Sequence, residues 1–149
     1  MKIINHNNET FQLSISDYML PFKPDQYFES NWLKGNIEIS SKRNKYLIRL
    51  ETLQIEELVK LLAWIEQLID KVKRNQTIFS FIDPNMKFRL WRRSNIETIR
   101  FIYHSEQKDI YSWEMILNDK YVTDFSNQIN EILIKFPFRN SKQYDGLKK

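Results

Sequence analysis

The chain has 149 residues, with 23 Lys and Arg, 19 Asp and Glu, and no Cys. The absence of Cys excludes disulfides, thiolate metal sites and cysteine nucleophiles. No apolar run approaches the ~20 residues that span a bilayer, and the first residues turn polar too early for the core of a signal peptide. We therefore expect one cytoplasmic domain over residues 1–149, with residues 140–149 forming a flexible polar tail.

The charge is distributed unevenly along the chain. Residues 1–70 contain 8 basic and 10 acidic side chains, whereas residues 71–149 contain 15 basic and 9 acidic ones. A basic second half favours an anionic partner, which is a nucleic acid, an anionic surface or an acidic protein. Gly35 and Gly146 are the two glycines of the sequence, so Gly-rich phosphate-binding loops are excluded.

Three strands are predicted before the first helix. Phe11, Leu13 and Ile15 alternate with polar residues in a strand at 11–16, and residues 32–40 and 46–51 show the same alternation. Residues 17–31 contain two prolines together with acidic and aromatic side chains, which predicts an irregular connection.

The strongest helical pattern covers residues 54–73. Thr52 is the predicted N-cap. Trp64 falls near the polar edge of the helix, so we expect it at the rim of the core rather than in a binding site. The three-and-four spacing of apolar residues predicts a buried face made of Ile55, Leu58, Val59, Leu62, Ile65, Ile69 and Val72.

The second half of the chain predicts four strands and a final helix. The strands cover residues 77–82, 86–93, 96–104 and 110–117, and the helix covers about 120–136 and is ended by Pro137. The resulting order is β-β-β-α-β-β-β-β-α, in which no strand–helix alternation repeats. This order predicts an α+β fold with an antiparallel sheet and two packed helices.

The pair Ser94-Asn95 predicts a tight two-residue hairpin turn. The turn places Phe88 opposite Phe101 on the buried side and Arg89 opposite Arg100 on the outer side. Two opposed arginines are unfavourable without compensation. In one interpretation, Glu114 of the next hairpin neutralises Arg100 locally. In the other, an anionic partner docks on Lys87, Arg89, Trp91, Arg93 and Arg100.

No catalytic or metal-binding pattern is present. The two histidines, His6 and His104, lack ligand partners at close spacing, and no motif marks a nucleophile. The neighbours Glu56 and Glu57 point in different directions on a helix. We therefore expect no catalytic residue, no metal and no cofactor; a hydrolase that uses an unmarked carboxylate is a further alternative.

Residues 87–93 also allow a nucleic-acid interpretation. Basic residues interleaved with aromatic ones can follow a phosphate backbone and stack on bases. Phe88 and Leu90 fall on the predicted buried face, however, which leaves Trp91 as the outward aromatic residue. The alternative function is thus a nucleic-acid-associated binding module that uses a basic sheet face.

Several separated segments resemble the WapI-like immunity proteins, which are small bacterial cytoplasmic proteins that neutralise a partner toxin. The partner is typically the toxic C-terminal domain of a large wall-associated or contact-delivered protein. The resembling segments are Phe11-Gln-Leu-Ser-Ile, Asp25-Gln-Tyr-Phe-Glu-Ser with Asn31-Trp32-Leu33, Glu57-Leu58 with Trp64-Ile65, Phe81-Ile-Asp-Pro-Asn-Met-Lys-Phe88, and Phe136-Pro-Phe-Arg139.

The resemblance implies a non-enzymatic inhibitor, a monomer or a homodimer, that binds a cognate toxin domain through aromatic or arginine anchors with a polar rim. Two surfaces are candidates. The basic strip, Arg89, Trp91 and Arg93, suits an acidic toxin surface. The acidic-aromatic segment suits a basic nuclease, although its aromatics could instead pack into the core with Trp32 buried. This segment comprises Asp17, Asp25, Tyr27, Phe28, Glu29 and Trp32.

Overall fold

The computed structural model describes residues 1–23, 25 and 30–139. Within these residues the elements are β1 (Lys2–Ile4), β2 (Thr10–Tyr18), β3 (Leu33–Ser40), β4 (Lys45–Leu50), α1 (Ile55–Ile69), β5 (Ile78–Ser80), β6 (Met86–Arg93), β7 (Ile96–His104), β8 (Ile110–Ile116) and α2 (Asp119–Lys135). The predicted tail, residues 140–149, lies outside the described residues.

The strands form two antiparallel sheets, one with the order β1-β2-β3-β4 and the other with the order β5-β6-β7-β8. The predicted α+β class and the order of strands and helices are confirmed. The division into two sheets follows the chain, because α1 separates the strands β1–β4 from the strands β5–β8. The first sheet also gains β1, which is too short to show an alternation in the sequence.

The register of the second sheet agrees with the predicted turn. Ser94 and Asn95 both have positive φ, 50° and 65°, which is the backbone that a tight hairpin turn with a right-handed twist requires. Phe88 therefore lies opposite Phe101. Arg100 lies opposite Arg89 on one side and Glu114 on the other, as predicted.

The first sheet depends on a glycine at one position. Gly35 of β3 pairs with Ile15 of β2, next to an irregularity between Ile15 and Asp17. A Cβ atom at Gly35 would clash with the backbone oxygen of Ser14. Glycine therefore permits the close approach of β2 and β3.

An aromatic cluster joins the two sheets and both helices. Phe11 of the first sheet lies 5.1 Å from Phe101 and 5.2 Å from Trp113 of the second, measured between ring centroids. Phe88 lies 5.8 Å from Phe125 of α2 and 6.2 Å from Trp64 of α1. Such rings bury much apolar surface and prefer the tilted and edge-to-face arrangements seen here.

The predicted buried face of α1 was wrong in part. Leu61, Trp64 and Leu68 are buried together with Ile55, Leu58 and Ile65, whereas Val59 and Val72 are 50% and 95% exposed and Ile69 is also exposed. The apolar residues of this segment form two overlapping stripes along the helix, and local periodicity does not distinguish which one is buried. Trp64 decides between them because it packs on Phe79 and donates Nε1–H to the Gln76 carbonyl at 3.0 Å. Trp64 therefore belongs to the core, with 5% exposure.

The start of α1 also differs from the prediction. Gln54, not Thr52, is the N-cap, and its backbone N–H donates to Glu57 Oε2 at 2.7 Å. This is half of a capping box, in which a Glu at the third helical position satisfies a free backbone donor. No helix of the described residues is long and apolar enough to cross a membrane.

Candidate functional site

The predicted basic strip lies on the outer face of the second sheet. Because side chains alternate along a strand, this face is opposite to the buried Phe88 and Phe101 that contact the helices and the first sheet. We call this outer surface the Trp91 face. Its Trp, Lys, Arg and Glu side chains are Lys87, Arg89, Trp91, Arg93, Arg100 and Glu114.

Trp91 organises two arginines on this face. The Cζ atoms of Arg89 and Arg100 lie 5.1 Å and 4.7 Å from the centroid of the Trp91 ring. Both distances are within the range of a cation–π interaction, for which Trp is the strongest aromatic partner. The opposed arginine pair is thus held by an indole ring, a contact that the sequence did not reveal.

Glu114 compensates part of the positive charge. Its Oε2 accepts from Arg100 Nη2 at 3.1 Å and from the Thr98 hydroxyl at 3.3 Å. The predicted local neutralisation of Arg100 is confirmed. Arg89 and Arg93 are exposed, and neither forms an ion pair within the part of the chain that the structure describes.

A cleft of about 310 Å³ lies beside Trp91. The residues that line it include Trp91, Arg93, Ile96 and His6. His6 reaches the second sheet because Asn5, its neighbour, donates from Nδ2 to the Glu114 carbonyl at 2.7 Å. The cleft could not be predicted, since it depends on a contact between residues 109 positions apart.

The acidic-aromatic segment is described in part. Asp17 and Asp25 are exposed, whereas Tyr27, Phe28 and Glu29 lie outside the described residues. Trp32 is half-buried and bridges to Gln54. Its Nε1–H is buried and has no acceptor among the described residues. The structure thus places Trp32 against the start of α1 and leaves the role of the segment as a prediction.

Arg139, which follows α2, forms hydrogen bonds with the connection that precedes β3. Its backbone N–H donates to Asn31 Oδ1 at 2.7 Å, and Asn31 Nδ2 donates to its carbonyl at 2.8 Å. The guanidinium lies 3.6 Å from the centroid of the Tyr18 ring and donates to the Leu20 carbonyl at 2.8 Å. Burial lowers the pKa of Arg139 and raises the pKa of the Tyr18 hydroxyl.

Glu57 forms a second junction. The carboxylate is buried, with 6% exposure, and accepts from the backbone N–H groups of Gln54 at 2.7 Å and Ile82 at 2.6 Å. Burial raises the pKa of Glu57, and the two hydrogen bonds oppose that rise. The side chain therefore ties the start of α1 to the turn at Ile82 and Asp83.

Both junctions join segments that carry the family resemblance. The Asn31 segment meets the Arg139 segment, and the Glu57 segment meets the segment that contains Ile82. In the sequence they appeared as short separate patterns, because each pair is distant along the chain. Among the described residues, no group of three or more His, Asp or Glu side chains is arranged to hold a metal ion.

The model of the immunity protein WapI-like family matches residues 2–137. The chain belongs to the WapI-like immunity protein family. A search of curated proteins finds no match. The match to the family model covers all the strands and helices described above. The short segments that carry the WapI-like resemblance do not contain Arg89, Trp91 or Arg93. These three residues lie on the outer face of the second sheet and not at either junction.

Proposed function

We propose that this WapI-like protein confers immunity by binding a cognate toxin domain stoichiometrically through the Trp91 face. The observation that carries the proposal is the open outer face of the second sheet, where Trp91 lies over Arg89 and Arg100. Trp and Arg are the side chains that most often dominate binding energy at protein interfaces. A sheet face also presents them on a rigid support, so little ordering is needed on binding.

Family membership supports this proposal at the general level. An immunity protein neutralises a toxin by binding it, so a complementary surface is sufficient and a catalytic centre is unnecessary. The exposed isoleucines Ile78 and Ile96 lie opposite Arg89 and Arg93 on the neighbouring strands and add apolar contact area beside them. Aromatic and arginine side chains are enriched at specific interfaces relative to the rest of the protein surface.

The segments that join at Asn31–Arg139 and Glu57–Ile82 support a distinction between residues that stabilise the fold and residues that bind the toxin. They stabilise the fold without using any of the charged side chains of the Trp91 face. The acidic-aromatic segment, with Asp25, Tyr27, Glu29 and Trp32, stays a second predicted surface. The oligomeric state and the cytoplasmic location also stay predictions.

The experiment is a survival assay with the reading frame encoded immediately upstream, which is tested as the candidate toxin. Its C-terminal domain is expressed alone, with this protein, or with Trp91→Ala and Arg93→Ala in one chain. We expect the wild type to rescue growth and to co-purify with the toxin domain, and the double variant to lose both.

The matched control carries Leu47→Ala and Arg49→Ala, which remove an exposed apolar residue and an exposed arginine from the outer face of the first sheet. This control should rescue like the wild type. Absence of both rescue and complex with the wild-type protein would refute the proposed function. Rescue by the variant with Trp91→Ala and Arg93→Ala would show that the interface lies on another surface. Reversal of Asp25 and Glu29 to Lys would then test the acidic-aromatic segment.

A further inference from the structure

We infer that the toxin surface bound by the Trp91 face is acidic, and that Trp91 is a positioning residue that holds Arg89 ready to bind one of its carboxylates. This inference rests on the proposed function. It adds the chemistry of the partner and assigns separate roles to the aromatic ring and to the guanidinium groups.

The Trp91 face is positively charged. Among the described residues of β6–β8, the face presents four Lys and Arg side chains, namely Lys87, Arg89, Arg93 and Arg100, against the single carboxylate of Glu114. Glu114 is already bound to Arg100 at 3.1 Å. The remaining positive charge is thus concentrated on β6. A like-charged partner would be repelled, whereas an acidic one is steered to the face.

Arg89 and Arg93, which form no ion pair among the described residues, are separated along β6. Arg89 and Arg93 are four residues apart on one strand, which is about 14 Å because an extended strand rises about 3.4 Å per residue. Trp91 lies between them on the same face. Two carboxylates at that separation, with an apolar group between them, complement this row. Arginine binds carboxylates with two parallel hydrogen bonds, which gives the contact its direction.

The Trp91 ring is already in contact with two arginine side chains. An indole that stacks on nucleic-acid bases needs an open π-face. Here the guanidinium groups of Arg89 and Arg100 already lie within 5.1 Å of the ring centroid, and Arg100 is paired with Glu114, so Arg89 is the one of the two that would bind an anion. The ring thus holds arginines in place. Pre-ordering a long side chain removes part of the entropy cost of binding. These contacts favour a protein carboxylate over a nucleic acid.

The test measures association and dissociation rates with the purified toxin domain from the upstream reading frame, at low and at physiological ionic strength. The first variant carries Arg89→Glu and Arg93→Glu. Its matched control carries Arg43→Glu and Arg49→Glu, two exposed arginines of the first sheet and its turn, so that the net charge changes equally. We expect the face variant to associate at least about tenfold more slowly at low ionic strength and the control to change by less than about threefold.

The role of Trp91 is tested by a double-mutant cycle. Trp91→Ala, Arg89→Ala and the combined variant are compared, with Trp91→Phe as the conservative variant. If Trp91 acts through Arg89, the loss in affinity caused by Trp91→Ala becomes smaller in the Arg89→Ala background, and Trp91→Phe restores part of the loss. Strictly additive losses would overturn the positioning role, because a ring that contacts the toxin directly needs no arginine.

The outcomes separate the inference from the function on which it rests. A toxin domain that does not bind the wild-type protein refutes the proposed function. A tight complex whose rates are equal in the face variant and the control overturns the acidic partner alone. A mixed-sequence single-stranded RNA or DNA oligonucleotide that binds the wild type at physiological ionic strength, and loses affinity with Trp91→Ala, would replace the protein partner by a nucleic acid.

Discussion

Removal of the buried Glu57 side chain is predicted to destabilise the fold strongly. Glu57→Ala leaves the backbone N–H groups of Gln54 and Ile82 without their acceptor. An unsatisfied buried donor costs about 1–3 kcal/mol, and the Gln54 N–H lies at a helix start where water can replace part of the loss. We therefore expect the free energy of unfolding to fall by about 2–4 kcal/mol, which corresponds to roughly 5–15 °C in Tm for a domain of this size.

The assay is urea unfolding followed by tryptophan fluorescence and circular dichroism. Glu56→Ala is the matched control, because Glu56 is the exposed neighbour on the same turn. Its free energy of unfolding should stay within about 0.5 kcal/mol of the wild type. A loss below about 1 kcal/mol for Glu57→Ala, or equal losses for the two variants, would refute the structural role assigned to this carboxylate.

The pH dependence of the same site has a defined sign. Burial raises the pKa of Glu57 in the folded protein. The folded state therefore binds a proton more readily than the unfolded state, so the contribution of this group to stability is full below its unfolded pKa and is lost as pH rises through its folded pKa. Glu57→Gln removes that titration. We expect the stability gap between wild type and Glu57→Gln to narrow from about pH 4 towards neutrality, as measured by urea unfolding at each pH. A gap that widens would contradict the raised pKa.

Three further predictions concern other parts of the molecule. Gly35→Ala should lower the free energy of unfolding by about 1–3 kcal/mol, because its Cβ would clash with the Ser14 backbone oxygen; an unchanged urea midpoint would contradict this. Arg139→Lys keeps the charge but loses the planar contact with Tyr18, so we expect a loss of about 1–2 kcal/mol in the same assay, whereas equal stability would show that charge alone suffices. Glu114→Gln removes the acid of the Trp91 face, so association with the toxin domain at low ionic strength should become faster; a slower rate would argue against an acidic partner.

The second sheet shows what local sequence can determine. The Ser94-Asn95 turn sets the register of β6 and β7, and the alternation of apolar residues sets which side is buried. Both rules act over a few residues, so they predicted the Arg89–Arg100 pair correctly, and the loop of the next hairpin, Ser105–Asp109, predicted the Arg100–Glu114 pair in the same way. The position of the basic strip on an open face follows from the same two rules.

Contacts between distant residues explain what the sequence left undetermined. The orientation of α1 depends on the packing of Trp64 against Phe79 and Phe88, which local periodicity cannot reveal. The same limit applies to the Asn31–Arg139 pair, which is separated by 108 positions. Side-chain geometry is a further limit, since the contact of Trp91 with two arginines depends on rotamers as well as register.

The most direct test of the central claim is titration calorimetry of the upstream toxin domain into the wild-type protein and into the variant with Trp91→Ala and Arg93→Ala. The account predicts saturation at one toxin domain per chain for the wild type. It also predicts an affinity at least about thirtyfold lower for the variant, since the loss of even one dominant side chain at an interface costs about 2 kcal/mol or more. No binding by the wild type, or equal affinity for both proteins, would contradict binding of a toxin through the Trp91 face.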